Sequence, residues 1–354
     1  MKWLLKISTM AQVLIVSLLV LGADLLLSSG ADASMLVALL FWAGVGQGII
    51  ALSAAADVAK GKWHLSIRSY LHQYYSLLLL FPLLFLVYAR HIAAYQWSGN
   101  PNAWLNTNFF IIRNLIALLL PLVLAHFYVE AARKESPQSS QPGQSQQSLQ
   151  SRTGLFSVLY LVSFVISQCF MAYDLVMTFE YPFVNTLFGP YFFVESLYAG
   201  IAFSVVLSGF LVRKVSDGFK SVFNDFTVMM MGFSLLWAGL FYSQYLVIWY
   251  GNIPEEVAYI YKRVSIPLVD KMGIYMLFAL FLSPFLFLVS RKVKANIVFV
   301  RIIAFILFSG LIVERLIFLI PVVSLNAGGV IVPLVLTGLP FFALIVQQTR
   351  KEKA

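Results

Sequence analysis

Several ionisable residues lie inside long apolar runs of this chain. Each is expensive in such a setting, so each is a candidate for chemistry. Asp24, His91, Asp174, Glu195, Glu314 and Arg315 fall toward one end of their runs, and Asp57, His72, His126 and Glu130 toward the other. Asp174 is the strongest candidate for exchanging protons with a bound hydroxyl, because a positioned carboxyl can act as general base. Its alternative is a buried ion pair with Arg90 or Arg315. His91 is either a hydroxyl partner or a boundary histidine bonded to lipid headgroups. Glu195 could relay protons from Asp174 or bond a neighbouring tyrosine. Glu314 and Arg315 are adjacent and point to different faces of one helix, so each wants a partner elsewhere. Arg315 is then a natural counter-ion for Asp174 or Glu195. On the other side, His126 and Glu130 are spaced i, i+4 and share a helix face. With Asp57 and His72 they form a candidate proton half-channel, and snorkelling at helix ends is the alternative. His72 and His126 fall at different depths, which argues against the facing imidazoles of a b-type haem.

These residues sit in a chain of 354 residues, 60% hydrophobic and 11% charged, with mean hydropathy +0.86. Soluble domains carry about 25% charged residues, so the composition is that of an all-α polytopic membrane protein. A helix needs about 20 apolar residues to cross the hydrocarbon core. That ruler predicts ten spans, at about 8–27, 34–57, 73–95, 108–131, 154–177, 189–213, 227–250, 268–290, 297–320 and 328–348. Of the 24 Lys and Arg, 17 fall in loops on one side of that arrangement. The positive-inside rule makes that side, and both termini, cytoplasmic. The net charge of +9 is therefore an orientation signal rather than a sign of nucleic-acid binding. The single cysteine, Cys169, excludes a disulfide, a Cys-ligated iron–sulfur cluster or a c-type haem within the chain. Residues 1–33 imitate a cleavable signal, but the apolar stretch from Met10 to Leu27 is long for one and contains Asp24. A retained first helix is expected.

The domain plan is spans 1–4 in residues 1–134, a flexible cytoplasmic linker at 135–153, and spans 5–10 in 154–354, all within one membrane domain. The linker, rich in Ser, Gln and Pro, has almost nothing to bury. Span three ends in 95-YQWSGNP-101 and span seven in 247-VIWYGNIP-254, four spans apart. An even separation preserves orientation, as in a parallel repeat. Two four-helix bundles follow, spans 2–5 and 6–9, with spans 1 and 10 added. The alternative is that both stretches are ordinary helix-exit chemistry. In the second copy, Trp249 and Tyr250 suit the membrane boundary, and Asn252 with Glu255 reads as a capping box around Pro254. A short surface helix is expected after it, with Glu255 and Glu256 at its positive end and Lys262 and Arg263 at its negative end. That helix is a candidate docking surface for a partner protein.

The run 243-SQYLVIWYGNIPEE-256 resembles a segment of the NrfD/PsrC-like membrane subunits of bacterial alternative complex III. The stretch 172-AYDLVMTFEYPFVNTLFGPYFFVESLYAG-200 resembles their second typical region, although Leu175 stands where the family usually has Trp. Of the two such subunits, the chain is more similar to the smaller, ActF-like class, known as quinone-binding subunit 2. The resemblance implies ten helices in two four-helix bundles, in the bacterial inner membrane. It implies a role in a quinol:cytochrome c oxidoreductase, not catalytic alone, with menaquinone or ubiquinone as substrate and no haem or iron–sulfur cluster in this chain. The implied partners are a larger NrfD-like subunit and periplasmic iron–sulfur and c-type cytochrome subunits. Tyr173, Asp174, His91 and Arg315 become candidate quinone contacts, and proton translocation a candidate activity. A secondary transporter and a structural scaffold with a degenerate quinone pocket remain open. Against the transporter, Gly44, Gly46 and Gly48 of span two show no clear counterpart in span six.

Overall fold

A computed structural model describes residues 8–28, 32–135, 146–214 and 216–351. The predicted positions of both termini, the start of the imitation signal and most of the proposed linker lie outside the described residues. The described residues contain helices and no strand. Ten helices are long and apolar enough to cross a membrane: Thr9–Leu27, Ser34–Val58, Leu65–Ala94, Thr107–Glu135, Arg152–Glu180, Phe188–Lys214, Asp217–Gly251, Pro267–Leu288, Ile297–Leu319 and Ala327–Arg350. They are called spans 1 to 10 below. The protein is a multi-pass membrane protein.

Spans 2–5 close a ring in which 2 and 4 each pack on 3 and 5, and spans 6–9 close a second ring in the same order. The two rings meet where span 2 lies against span 6, and spans 1 and 10 pair beside that seam. Small residues let the two backbones touch, as is usual between helices in lipid. A Cβ on Gly200 would come within 2.4 Å of the Gly48 backbone, and one on Gly48 within 1.9 Å of the Ser196 carbonyl. Gly48 of span 2 therefore meets Gly200 of span 6 at the crossing. Its role is close packing of unbroken helices. Span 2 is buried on every face, being the seam of both rings.

Two spans start earlier than hydropathy suggests. Span 3 begins at Leu65 and span 7 at Asp217, because their first turns carry polar residues such as Arg68 and Asp225. The helix of span 5 begins at Gln146, so the described end of the proposed linker is helical rather than irregular. Span 5 widens into a π-helical turn at Met171–Val176, and Asp174 lies inside it. Span 7 ends with Asn252 in the left-handed conformation, φ 47°, its N–H bonded to the Ile248 carbonyl. Asn252 is thus a C-terminal cap, not the first residue of a capping box. Pro254 forces its predecessor out of helical geometry, so Ile253 is extended and takes the N-cap place. The surface helix is Pro254–Val264, as expected, and strongly two-faced.

The basic loops gather at the ends of spans 2, 4, 6, 8 and 10. That side is termed the basic face, and the other the opposite face.

Candidate functional site

Four polar clusters hold most of the buried charges among the described residues, and two of them answer directly to sequence expectations. In the first ring, near the opposite face, Asp174 accepts bonds from Arg113 Nε at 2.5 Å, Arg113 Nη2 at 3.0 Å and Asn114 Nδ2 at 2.9 Å. Arg113 also donates to the Trp104 carbonyl, and its guanidinium lies 4.6 Å from the Trp104 ring centre. Both charged groups are buried, and removing either partner of such a pair costs about 3–5 kcal/mol. Asp174 is thus an ion-paired carboxylate whose partner is Arg113, rather than Arg90 or Arg315. Leu175 offers its carbonyl to the Tyr95 hydroxyl at 3.0 Å. Tyr173 points away from this cluster and donates to the Thr186 carbonyl at 2.7 Å.

Between spans 1 and 3, His91 Nε2 lies 2.9 Å from Asp24, which also accepts from Arg90 at 3.0 Å. His91 is therefore held by a carboxylate of span 1. The Trp copies of the repeat differ likewise: Trp97 is buried among Tyr95 and Phe110, while Trp249 is exposed.

Toward the basic face of the first ring, Asp57 accepts from Tyr128 at 2.5 Å, lies 3.0 Å from His64 Nε2 and pairs with Arg68 at 2.8 Å. The Tyr128 hydroxyl in turn lies 3.1 Å from Ser53 and 3.3 Å from His72, and Ser53 lies 3.0 Å from His72. Asp57 also lines a polar recess of about 590 Å³ with Lys60, Lys62 and Glu135. A continuous chain of hydrogen-bonding groups thus runs from this recess through Tyr128 to His72. The structure brings Asp57 and His72 together but not His126 and Glu130. The inward face of span 4 is carried by Ala125, Tyr128, Val129 and Ala132, which leaves His126 and Glu130 on the outward face. Glu130 pairs there with Arg133 at 2.9 Å.

The fourth cluster lies in the second ring. Arg315 donates to Glu195 Oε2 at 2.7 Å, and Trp237 donates to Glu195 Oε1 at 3.3 Å. Tyr191 donates to Glu314 Oε1, and the Glu195 carboxyl lies beside that of Glu314, whose Oε2 is buried. Arg315 Nη1 comes within 3.8 Å of that oxygen without bonding to it. Each side chain therefore finds its partner on span 6, as expected. Against expectation, Glu314 and Arg315 turn into the same cluster. The arginine reaches back over Phe192, 4.2 Å from its ring centre, as a long flexible side chain can. Two carboxyls and one guanidinium are together neutral when they hold one proton.

This cluster forms one wall of a cavity of about 300 Å³ near the opposite face. Glu314 and Tyr191 stand on the wall, with Phe188, Phe241, Met276 and Phe318 among the apolar surroundings. Span 8 packs on span 7 mainly through residues 278–288, and its first half diverges. The gap is lined by Tyr245, Ile274 and Leu277, all exposed to the lipid side. Gly273 faces the cavity with open space around its Cβ position.

The surface helix closes the cavity from above through Tyr259, Ile260, Arg263 and Val264. Arg263 is bonded to Glu180 at 2.5 Å and to the Phe318 carbonyl at 3.2 Å, and Lys262 lies 3.8 Å from Glu180. Tyr259 is stacked between Phe183, with ring centres 4.2 Å apart, and the Arg263 guanidinium at 3.4 Å. Burial pushes its phenol up to about 12. Lys262 and Arg263, two of the basic residues on the opposite face, are thus held by an acid of the same chain. At the helix's other end Trp249, Tyr250 and Glu255 are exposed and Glu256 is half-buried.

Glu314 was visible in the sequence as a buried acid but not as the cavity's carboxyl, and Arg113 was overlooked. The signal for Arg113 was available: a lone arginine in 110-FIIRNLIAL-118 must be paired inside a span. Ser53 and Tyr128 carry no such signal. No protein-family model matches the chain, and no curated protein matches it.

Proposed function

We propose that the chain is a quinol-binding membrane subunit of an electron-transfer complex, with its substrate in the cavity of the second ring. The observation that carries this reading is the cavity itself: an apolar chamber of about 300 Å³ with a lateral gap to lipid and the carboxyl-bearing Glu314 among its lining residues. Ligand sites are mostly apolar clefts with a few placed polar groups. A quinol needs such walls for its ring and tail, plus an acceptor for its hydroxyl proton within hydrogen-bond reach. Glu314 is the acceptor, Tyr191 holds it in place, and Arg315 with Glu195 balances the charge that arrives. The chain of Asp57, Tyr128 and His72 serves as a separate proton path on the basic face, which is cytoplasmic in this reading. Both termini then lie in the cytoplasm of a bacterium. Electrons pass to haem and iron–sulfur groups of periplasmic partners, and the rim of Trp249, Tyr250, Glu255 and Glu256 is where such a partner docks. The resemblance of 243-SQYLVIWYGNIPEE-256 to the alternative complex III subunits favours the same reading.

Gly273→Trp tests it, since the new ring enters open space in the cavity without meeting a neighbour at Cβ. Binding of a short-tailed quinone to the purified chain in nanodiscs should weaken at least tenfold. Leu236→Trp, on the exposed face of span 7, should leave it unchanged. Equal affinity in both variants would place quinone binding outside this cavity, and no binding by the unaltered chain would leave it a scaffold without a working pocket.

A further inference from the structure

The ends of spans 6 and 10 on the basic face frame a groove of about 340 Å³, remote from the cavity and from both proton clusters. Phe210, Phe342, Ile345 and Val346 give it apolar walls, while Lys214 and Arg350 stand at its rim. Lys214 is the last residue of span 6 and Arg350 the last of span 10, so both cations sit where the apolar segments stop. Behind the groove, the buried Arg301 guanidinium lies 4.5 Å from the centre of the Phe210 ring, and its Nε has no partner.

The charge balance here differs from that of the other buried or half-buried arginines among the described residues that sit in a cluster. Arg68, Arg113, Arg263 and Arg315 each pair with a carboxylate. Among the described residues, no carboxylate pairs with Lys214, Arg301 or Arg350. A buried arginine without an anion is costly, and basic pockets between spans are suited to anionic headgroups. The apolar walls select the source of that anion. A free phosphate would leave four apolar side chains uncovered, and a zwitterionic lipid would bring its own cation against Lys214 and Arg350. We propose that this groove binds one anionic glycerophospholipid. Its phosphate lies between Lys214 and Arg350, an acyl chain lies along Phe342 and Ile345, and Arg301 adds positive potential through Phe210.

The test uses the full chain, stripped of lipid in a neutral detergent and titrated with phosphatidylglycerol or phosphatidylcholine while native mass spectrometry counts bound lipid. One phosphatidylglycerol should be retained per chain, in preference to phosphatidylcholine. Replacing Lys214→Gln together with Arg350→Gln should weaken it about thirtyfold, the effect of two charges lost at an anionic headgroup. Lys214→Arg with Arg350→Lys should retain it, which separates charge from folding. Arg291→Gln with Lys292→Gln removes equal charge from the same face outside the groove, and should have no effect. An equal loss in that control pair, equal retention of phosphatidylcholine, or displacement by millimolar inorganic phosphate would each overturn the proposal.

Discussion

Arg315 is the single cation among two buried carboxyls, and Arg315→Met removes it while keeping much of its packing volume. The variant loses the 2.7 Å bond to Glu195 and the contact 4.2 Å from the Phe192 ring. Glu195 then keeps Trp237 at 3.3 Å and the neighbouring Glu314 carboxyl, with no cation, at a site with no solvent exposure. Breaking one side of a buried pair costs about 3–5 kcal/mol, much of it the penalty of the stranded partner. The expected loss is therefore in that range, a large part of a typical protein's stability. The penalty should be relieved by Glu195→Gln in the same chain, since a neutral amide still accepts from Trp237. A double-mutant cycle measures this as a coupling of about 2–3 kcal/mol, at the upper end for residues in contact. Equilibrium unfolding in mixed micelles, followed by tryptophan fluorescence, gives all four stabilities. A single-variant loss below about 1 kcal/mol, or a double variant no more stable than the single, would refute the claim that this cluster is charge-balanced around Arg315.

Arg113→Met should destabilise by a similar ~3–5 kcal/mol, while quinone binding per folded molecule stays unchanged, because Asp174 is an ion-pair member; a binding defect at full stability would say otherwise. Tyr128→Phe removes a 2.5 Å bond to Asp57 and should cost about 1.5–3 kcal/mol in micelle unfolding. Gly200→Ala pushes a methyl into the Gly48 backbone and should cost about 1–3 kcal/mol by overpacking, whereas Gly239→Ala, with open space at its Cβ, should gain up to ~1 kcal/mol of helix propensity. Stabilities of the two glycine variants that matched would contradict the close crossing of spans 2 and 6.

The ten spans were legible because hydropathy is a property of segments, which a linear reading can sum, and the two-ring plan rested on the matched stretches 95-YQWSGNP-101 and 247-VIWYGNIP-254. The early start of span 3 was not legible, because Arg68 looks like a loop residue until Asp57 is seen to pair with it. The site was harder for the same reason. Asp174, Glu195 and Arg315 were recognisable as buried charges, but which charge pairs with which depends on helix rotation. A shift of one residue moves a side chain by about 100°, enough to exchange Arg315 for Arg113 as the partner of Asp174. The outward placement of His126 and Glu130 has the same cause: their i, i+4 spacing says that they share a face, not which way it looks. The cavity had no local signature at all. It arises where the first half of span 8 leaves span 7, a divergence that no short stretch encodes.

The most direct test of a quinol site in the second ring is photolabelling. The chain in nanodiscs is irradiated with an azido-substituted quinone, digested, and the adducts mapped by mass spectrometry. The account predicts labels on residues of 241–248, 269–277 and 314–318, which line the cavity, and their loss when Gly273→Trp fills it. Labels concentrated instead around Trp104, Arg113 and Asp174, and insensitive to Gly273→Trp, would contradict it.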